Sequence, residues 1–372
     1  MEGIKQKIPY VDIGGQFAGT MKDEIMAAIE KVMSSGWFIL GPEVKAFEES
    51  FAQICGTKYA VGVADGTDAL ILVMKGLGLE AGDEVIVPPN SYLASASSVA
   101  LAGGTPVFVD VNQHYNLDPE KIEAAITPKT KGIMAVHLTG RPADMDAINA
   151  IAEKHGLWVL EDSAQAVGAT YKGKPVGGLG RASGFSLHPL KNLNAAGDAG
   201  VITTNDQKLY EWLLKARTHG HRNRDECEFW SLNSRLDALQ AAILNVKLKY
   251  LDGWNKRRRE IAEVYQSRIA NYVWVPTDNE DEKAVYHTFI IQTDQRDALK
   301  SYLEEQGVDT KIHYPVPIHL QDSAAYLGAK KGDFPITERQ TETILSLPVF
   351  PELTNDQITY ICDQIQAFFE SN

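Results

Sequence analysis

The sequence predicts an α/β protein. A large domain carries a mainly parallel, mixed sheet flanked by helices, and a smaller α/β domain follows at the C-terminal end. Three observations point there. Short β-rich runs recur, each followed by turn chemistry and a helical pattern, which reads as βαβ units. Several of these runs are apolar at successive positions, as expected of strands covered on both faces. From about Ser234 the pattern turns long and helical, and a smaller α/β unit comes after it. The expected division is 1–250 for the large domain, with its N-terminal segment, and 251–372 for the small one.

Taken in order, the strands of the large domain are YAVGVA (59–64), EVIVP (84–88), PVFVD (106–110), IMAVHL (133–138), LWVLED (157–162) and GFSL (184–187). DMDAINAIAEKHG (144–156) is one of the helices between them. The stretch SRLDALQAAILNVKLKYLDGWNKRRREIAEVYQSRI, interrupted by a single glycine at Gly253, reads as a connector out of this domain. Then come strand YHTFIIQT (286–293), helix DALKSYLEEQG (297–307) and strand TKIHY (310–314). A closing amphipathic helix places Ile358, Ile361, Ile365 and Phe368 at helical spacing. The sequence shows no internal repeat and no low-complexity segment.

The 372 residues carry 36 Lys and Arg against 49 acids, a formal net charge of −13. That balance argues against general binding of nucleic acid or a membrane surface, and leaves room for an anionic small molecule where positive charge is concentrated. Cys55, Cys227 and Cys362 are odd in number and widely spaced, which fits a reduced, cytoplasmic setting. The start, MEGIKQKIPY, lacks the apolar stretch of a signal peptide, and no run reaches the roughly 18–20 apolar residues that span a bilayer. A soluble protein is expected.

Ligands of open parallel sheets collect outside the carboxyl ends of the strands, which selects the polar residues to weigh. ADGTDAL (64–70) leaves the first strand and opens a helix. There Gly66 permits close approach, and the amides of Gly66, Thr67 and Asp68 with the helix dipole could hold an anion. An ordinary capped turn explains the same residues, and Asp65 and Asp68 oppose a phosphate unless their carboxylates turn away to cap the helix. LWVLEDSAQA ends a strand on Glu161 and Asp162, whose side chains leave on opposite faces. One carboxylate there could keep a ring nitrogen protonated, or simply cap the next turn. In PPNSYLAS (88–95), Tyr92 could stack on a flat cofactor or pack. FSLHPLKNLNAAGDAG (185–200) sets one long cation, Lys191, among residues too small to cover it. An anion cradle, a carboxylate, an aromatic plate and a lysine at one sheet edge are the parts that pyridoxal phosphate needs. The lysine offers a Schiff base, and the acid supports the ring as an electron sink.

These segments resemble the DegT/StrS-type sugar-nucleotide aminotransferases, a fold-type-I pyridoxal phosphate family within the aspartate aminotransferase superfamily. The resemblance runs from IPYVDIGGQF and GWFILGPEVKAFE through GTDAL, GDEVIVPPNSY, VHLTGRPADMDAI and EDSAQAVGA. It continues through FSLHPLKNLNAAGDAG, LNSRLDALQAA and HYPVPIHLQ to LSLPVFP. It implies that Lys191 binds the cofactor aldehyde and shuttles the proton, that Asp162 pairs with the pyridine nitrogen, and that Gln165 meets the ring hydroxyl. Tyr92 would stack on the ring, while the Gly66 and Thr67 amides and the Ser186 hydroxyl hold the phosphate. Asn233 would reach the phosphate of the neighbouring subunit in a homodimer with shared active sites. His188, His313 and Tyr314 would face the sugar.

The implied reaction moves an amino group, with glutamate as the donor, to a keto-sugar carried on a nucleotide diphosphate. Relatives with histidine in place of the lysine act as dehydratases, and a non-catalytic regulator on the same fold is the other alternative. Lys191, Asp162, Gln165 and Ser186 favour transamination over both. The basic island KARTHGHRNR (215–224) offers Lys215, Arg217, Arg222 and Arg224 to a nucleotide diphosphate, and local ion pairs explain it equally well. The histidines there, with His313 and His319, lack metal-ligand spacing, and no metal is expected.

Overall fold

A computed structural model describes residues 7–371. The first six positions of MEGIKQKIPY, on which the signal-peptide reading bears, lie outside the described residues. After two helices, α1 (Gly19–Ser35) and α2 (Pro42–Ile54), the chain enters its main sheet. The strands are β1 (Tyr59–Val63), β2 (Glu84–Val87), β3 (Thr105–Phe108), β4 (Thr130–Val136), β5 (Trp158–Asp162), β6 (Ala182–Ser186) and β7 (Gly200–Thr204). Their order across the sheet is β1-β7-β6-β5-β4-β2-β3. Only β7 runs against the others, pairing antiparallel with β1 and with β6. Every other strand therefore ends at one edge of the sheet.

Both faces are covered, so the strands read as apolar runs. Val85 and Val87 pack on one side with Leu70 and Leu72 of α3 (Gly66–Gly76) and Val99 of α4 (Leu93–Ala102). Ile86, Ile133 and Val159 face the other, against Met145 and Ile148 of α5 (Met145–His155). On that side, near β1 and β7, Phe185 and Val201 meet Phe47 and Phe51 of α2. Helix α6 (Gln207–Ala216) follows β7.

The expected connector is two helices, α7 (Ala238–Leu248) and α8 (Leu251–Ile269). The break falls at Lys249–Tyr250, where backbone bonds tighten to i→i−3, while Gly253 sits inside α8. A two-stranded sheet then pairs β8 (Phe289–Gln292) with β9 (Ile344–Leu347), antiparallel, Phe289 opposite Leu347. Helices α9 (Arg296–Glu305), α10 (Pro335–Thr343) and α11 (Asn355–Glu370) complete this part. The face of α11 expected to be apolar, Ile358, Ile361, Ile365 and Phe368, is buried with Phe289, Leu347 and Tyr265 of α8. Thr354 and Gln357 close its start with a reciprocal capping box. TKIHY is not a strand. Only Lys311 bridges Ser346, because the next residue across, Ile344, spends its amide on the Gln340 carbonyl to close α10.

Candidate active site

Four strand ends converge at the common edge. Lys191, Asp162, Gln165, Tyr92, Gly66, Thr67, Ser186, His188, His313 and Tyr314 line a single cavity of about 600 Å³ there, and Glu161, the basic island and Asn233 do not. Asn233 is exposed, on the bridge it makes with Thr218, outside that cavity.

β1 delivers the anion cradle. Asp65 caps α3, its Oδ1 accepting from the amides of Thr67 at 2.7 Å and Asp68 at 2.9 Å. The capping alternative therefore holds for the aspartate, and it corrects the use foreseen for the Thr67 amide, which is already engaged. Gly66's amide and Thr67's hydroxyl are what this helix start offers an anion. Gly66 must be glycine: a Cβ there would lie 2.7 Å from Cβ of Ser186, the last residue of β6. Cradle and hydroxyl are thus brought side by side.

β5 delivers the carboxylate. Asp162 is buried, and its Oδ2 accepts from Ser95 Oγ at 2.6 Å while Oδ1 accepts from the Ala164 amide at 3.2 Å. With Ser95's proton so committed, Ser91 Oγ donates to Ser95 Oγ at 2.7 Å, giving a relay Ser91→Ser95→Asp162. Glu161 points the opposite way and serves the fold. Its oxygens accept from the amides of Gly177, Leu179 and Gly180 at 2.8–2.9 Å. His137 Nδ1 accepts from Ala143, so its Nε2–H faces Glu161, 3.1 Å away.

Lys191 stands five residues beyond the end of β6. Burial lowers its ammonium from the ordinary 10.5 to about 8, and the charge of Asp162 works the other way. Its neighbours pin the loop. Asn192 Nδ2 donates to Asn255 Oδ1 and the Val285 carbonyl, and the fully buried Lys247 Nζ donates to Asn194 Oδ1 at 2.7 Å. Gln165 Oε1 accepts from the Thr139 amide at 2.8 Å, which turns its Nε2 toward Tyr314 Oη, 3.5 Å away. Tyr92 is 58% exposed at the rim, its ring 5.9 Å from that of Tyr314. His188, on the loop before Lys191, is exposed and lines the same cavity. His313 Nδ1 lies 2.9 Å from Ser346 Oγ, and burial with the charge of Lys191 lowers it to about 4. Burial raises the phenol of Tyr314 well above its usual value.

The basic island is mostly internal bookkeeping of charge. Arg217 is buried, paired with Glu48 and donating to the Gly62 carbonyl, and Lys215 and Arg222 share Glu228. Arg224 stays exposed. The sequence reading missed His287, Asn192 and Ser95. His287 lines the cavity from the turn before β8, and its only sequence signal was the polar start of YHTFIIQT.

Residues 19–366 match the model of the DegT/DnrJ/EryC1/StrS aminotransferase family. The chain belongs to this family. A dTDP-3-amino-3,6-dideoxy-alpha-D-galactopyranose transaminase of Aneurinibacillus thermoaerophilus is 47% identical over 97% of this chain and 99% of its own. A dTDP-3-amino-3,4,6-trideoxy-alpha-D-glucose transaminase of Streptomyces venezuelae is 42% identical, over 98% and 97%. Among solved structures, S. venezuelae DesV in complex with a ketimine intermediate superposes with a TM-score of 0.95, at 42% identity, over 98% and 99% of the two chains. NtdA from Bacillus subtilis with the bound cofactor PMP gives 0.92 at 31% identity, over 98% and 85%. In this DegT-family chain the cavity fits a pyridoxal phosphate on its own evidence. It has an amine of lowered basicity, a buried carboxylate with oriented donors, an exposed ring and an anion cradle that a Cβ would fill.

Proposed function

We propose that the chain is a pyridoxal-phosphate-dependent aminotransferase of nucleotide-linked keto-sugars, acting at carbon 3 of a dTDP-linked 6-deoxyhexose with glutamate as donor. One observation carries the chemistry: Lys191, its basicity lowered by burial, lines the same cavity as the carboxylate of Asp162 and feels its charge. When bound, the cofactor supplies an aldehyde and an electron sink. Lys191 holds that aldehyde and moves the proton between carbons, and Asp162 holds a proton on the ring nitrogen. Gly66, Thr67 and Ser186 bind the phosphate, Gln165 and Tyr92 orient the ring, and His188, His313 and Tyr314 face the sugar. Carbon 3, the 6-deoxy sugar and dTDP come from the names of the two relatives above, both of which act on such sugars.

We further read the protein as a homodimer in which Asn233 serves the partner's phosphate. Asn233 is absent from its own cavity, and the exposed apolar side chains of Trp230 and Leu232, close to it in the chain, support a covered surface there. The test is amination of a panel of dTDP- and UDP-linked 3-keto and 4-keto hexoses with glutamate, read by product mass. The expected result is a mass gain of an amine on the dTDP-3-keto-6-deoxyhexose. Amination confined to 4-keto sugars refutes the carbon assignment, and none with any keto-sugar refutes the substrate class.

A further inference from the structure

His287 has a fixed place and an unused atom. Its backbone is held by Arg258, whose Nη1 donates to the carbonyls of Tyr286 at 3.2 Å and His287 at 3.4 Å. Behind it runs the loop that orients Gln165, at a contact only glycine permits. Gly140 has φ +89°, and a Cβ there would lie 2.9 Å from the Gln165 carbonyl and 3.0 Å from the His287 amide. The segment is therefore a built wall of the cavity.

Asn192 settles which ring nitrogen carries the proton. Its Nδ2 donates to Asn255 Oδ1 at 3.0 Å and to the Val285 carbonyl at 3.1 Å. Asn255 is itself oriented by donating to the Val167 carbonyl at 2.9 Å. Asn192 therefore presents Oδ1 to His287 Nδ1, 3.3 Å away, and an amide oxygen accepts only. The proton sits on Nδ1, which leaves Nε2 with a bare lone pair in the neutral ring. Burial keeps the ring neutral, helped by the positive charges of Lys191 and Arg258; His313, the other titratable group that faces it, is itself held neutral by burial. Nε2 bonds no other described residue and is not a sealed polar atom, so on this cavity-lining, half-buried ring it opens on the cavity.

A ring that stays neutral beside the amine is a permanent acceptor, and a poor base for exchanging protons with Lys191. With Lys191 engaged by the cofactor, the donors left for it to meet belong to the substrate. We propose that His287 Nε2 accepts a hydrogen bond from a sugar hydroxyl next to the keto carbon, making His287 a specificity-determining residue. The proposal rests on the keto-sugar reading above.

The test compares a dTDP-3-keto-6-deoxyhexose with its 2-deoxy and 4-deoxy analogues, in wild type, His287→Asn and His287→Gln. Asn keeps a donor toward Asn192 and deletes the outer acceptor; Gln can carry an amide oxygen to the place of Nε2. Expected is a loss of about tenfold in kcat/KM for His287→Asn on the hydroxylated sugar, the size of one neutral hydrogen bond. On one deoxy analogue the same variant should lose less than about twofold, and His287→Gln should recover most of the loss. An equal loss on all three sugars overturns the proposal. Calorimetric binding of the corresponding dTDP-3-amino sugars to cofactor-free protein reads the same preference without turnover. Wild type should favour the hydroxylated ligand severalfold, and His287→Asn should not. Equal affinities in wild type overturn the proposal even where amination succeeds. Preference without amination would instead indict only the assigned reaction.

Discussion

The amine of Lys191 is the most quantitative claim the structure makes. A lysine at its ordinary 10.5 is unprotonated in about one copy in three thousand at pH 7, whereas one at about 8 is so in about a tenth, a gain of roughly 300-fold. The sign follows from the causes. Burial penalises the ammonium and lowers its pKa, while Asp162 stabilises the ammonium and limits the fall. Reactivity of the cofactor-free protein should therefore rise with pH through a midpoint near 8 and level off above it. Competitive acetylation over a pH series, with the Lys191 peptide quantified by mass against surface lysines, measures this with no cofactor present. Asp162→Asn removes the opposing charge, so the midpoint should move to lower pH. A wild-type midpoint above 10 would refute the burial argument. A midpoint that stays put or rises in Asp162→Asn would refute the coupling between the two groups.

Other outcomes follow from the same geometry. Lys191→Ala should abolish transamination and leave the far-ultraviolet spectrum intact, since the side chain fills a cavity and no packed core; near-normal turnover would remove it from the chemistry. Asp162→Ala should cost at least about a hundredfold in turnover, the usual loss for one preorganised electrostatic partner, and an unchanged rate would place the ring nitrogen elsewhere. Glu161→Gln should instead strike stability. Two of its amide contacts share one oxygen, so swapping in an amide group strands buried donors at a cost of about 2–4 kcal/mol, read in urea midpoints. Asn233→Asp would set a carboxylate against a phosphate, so mixed dimers with Lys191→Ala should regain activity if Asn233 works in trans, and stay inactive if it serves its own subunit.

How far the sequence could be read depends on how local each cause is. The strands from β1 to β6 were legible because both faces are buried, and Val85, Ile86 and Val87 show that directly. β7 was not. Its GVITT follows a run of small residues that carries no strand pattern, and its reversed direction comes from pairing with β1, far away in sequence, as well as with β6. TKIHY failed for the opposite reason. Its residues suit a strand, and what ends the pairing lies on the far partner, where the Ile344 amide is turned back to close α10. Lys249–Tyr250 breaks the long helical pattern with no proline or glycine to announce it.

The site divides along the same line. Strand alternation separated Asp162 from Glu161, and the sheet edge gathered the other groups, because both follow from the backbone. The partner of each group did not. Whether Asp65 would oppose an anion or cap α3 is decided by its turn toward the Thr67 amide, 2.7 Å away. Whether Arg217 meets a ligand is decided by Glu48, 169 residues earlier. His287 is the clearest case. Its neighbours Tyr286 and Thr288 give no hint of a ligand, and the state of its ring is set through Asn192, Asn255 and Val167, drawn from three other parts of the chain. Motifs expose groups that act through position on a strand. A residue whose role lies in which of its atoms is left unpaired becomes legible only when the whole hydrogen-bond chain behind it can be followed.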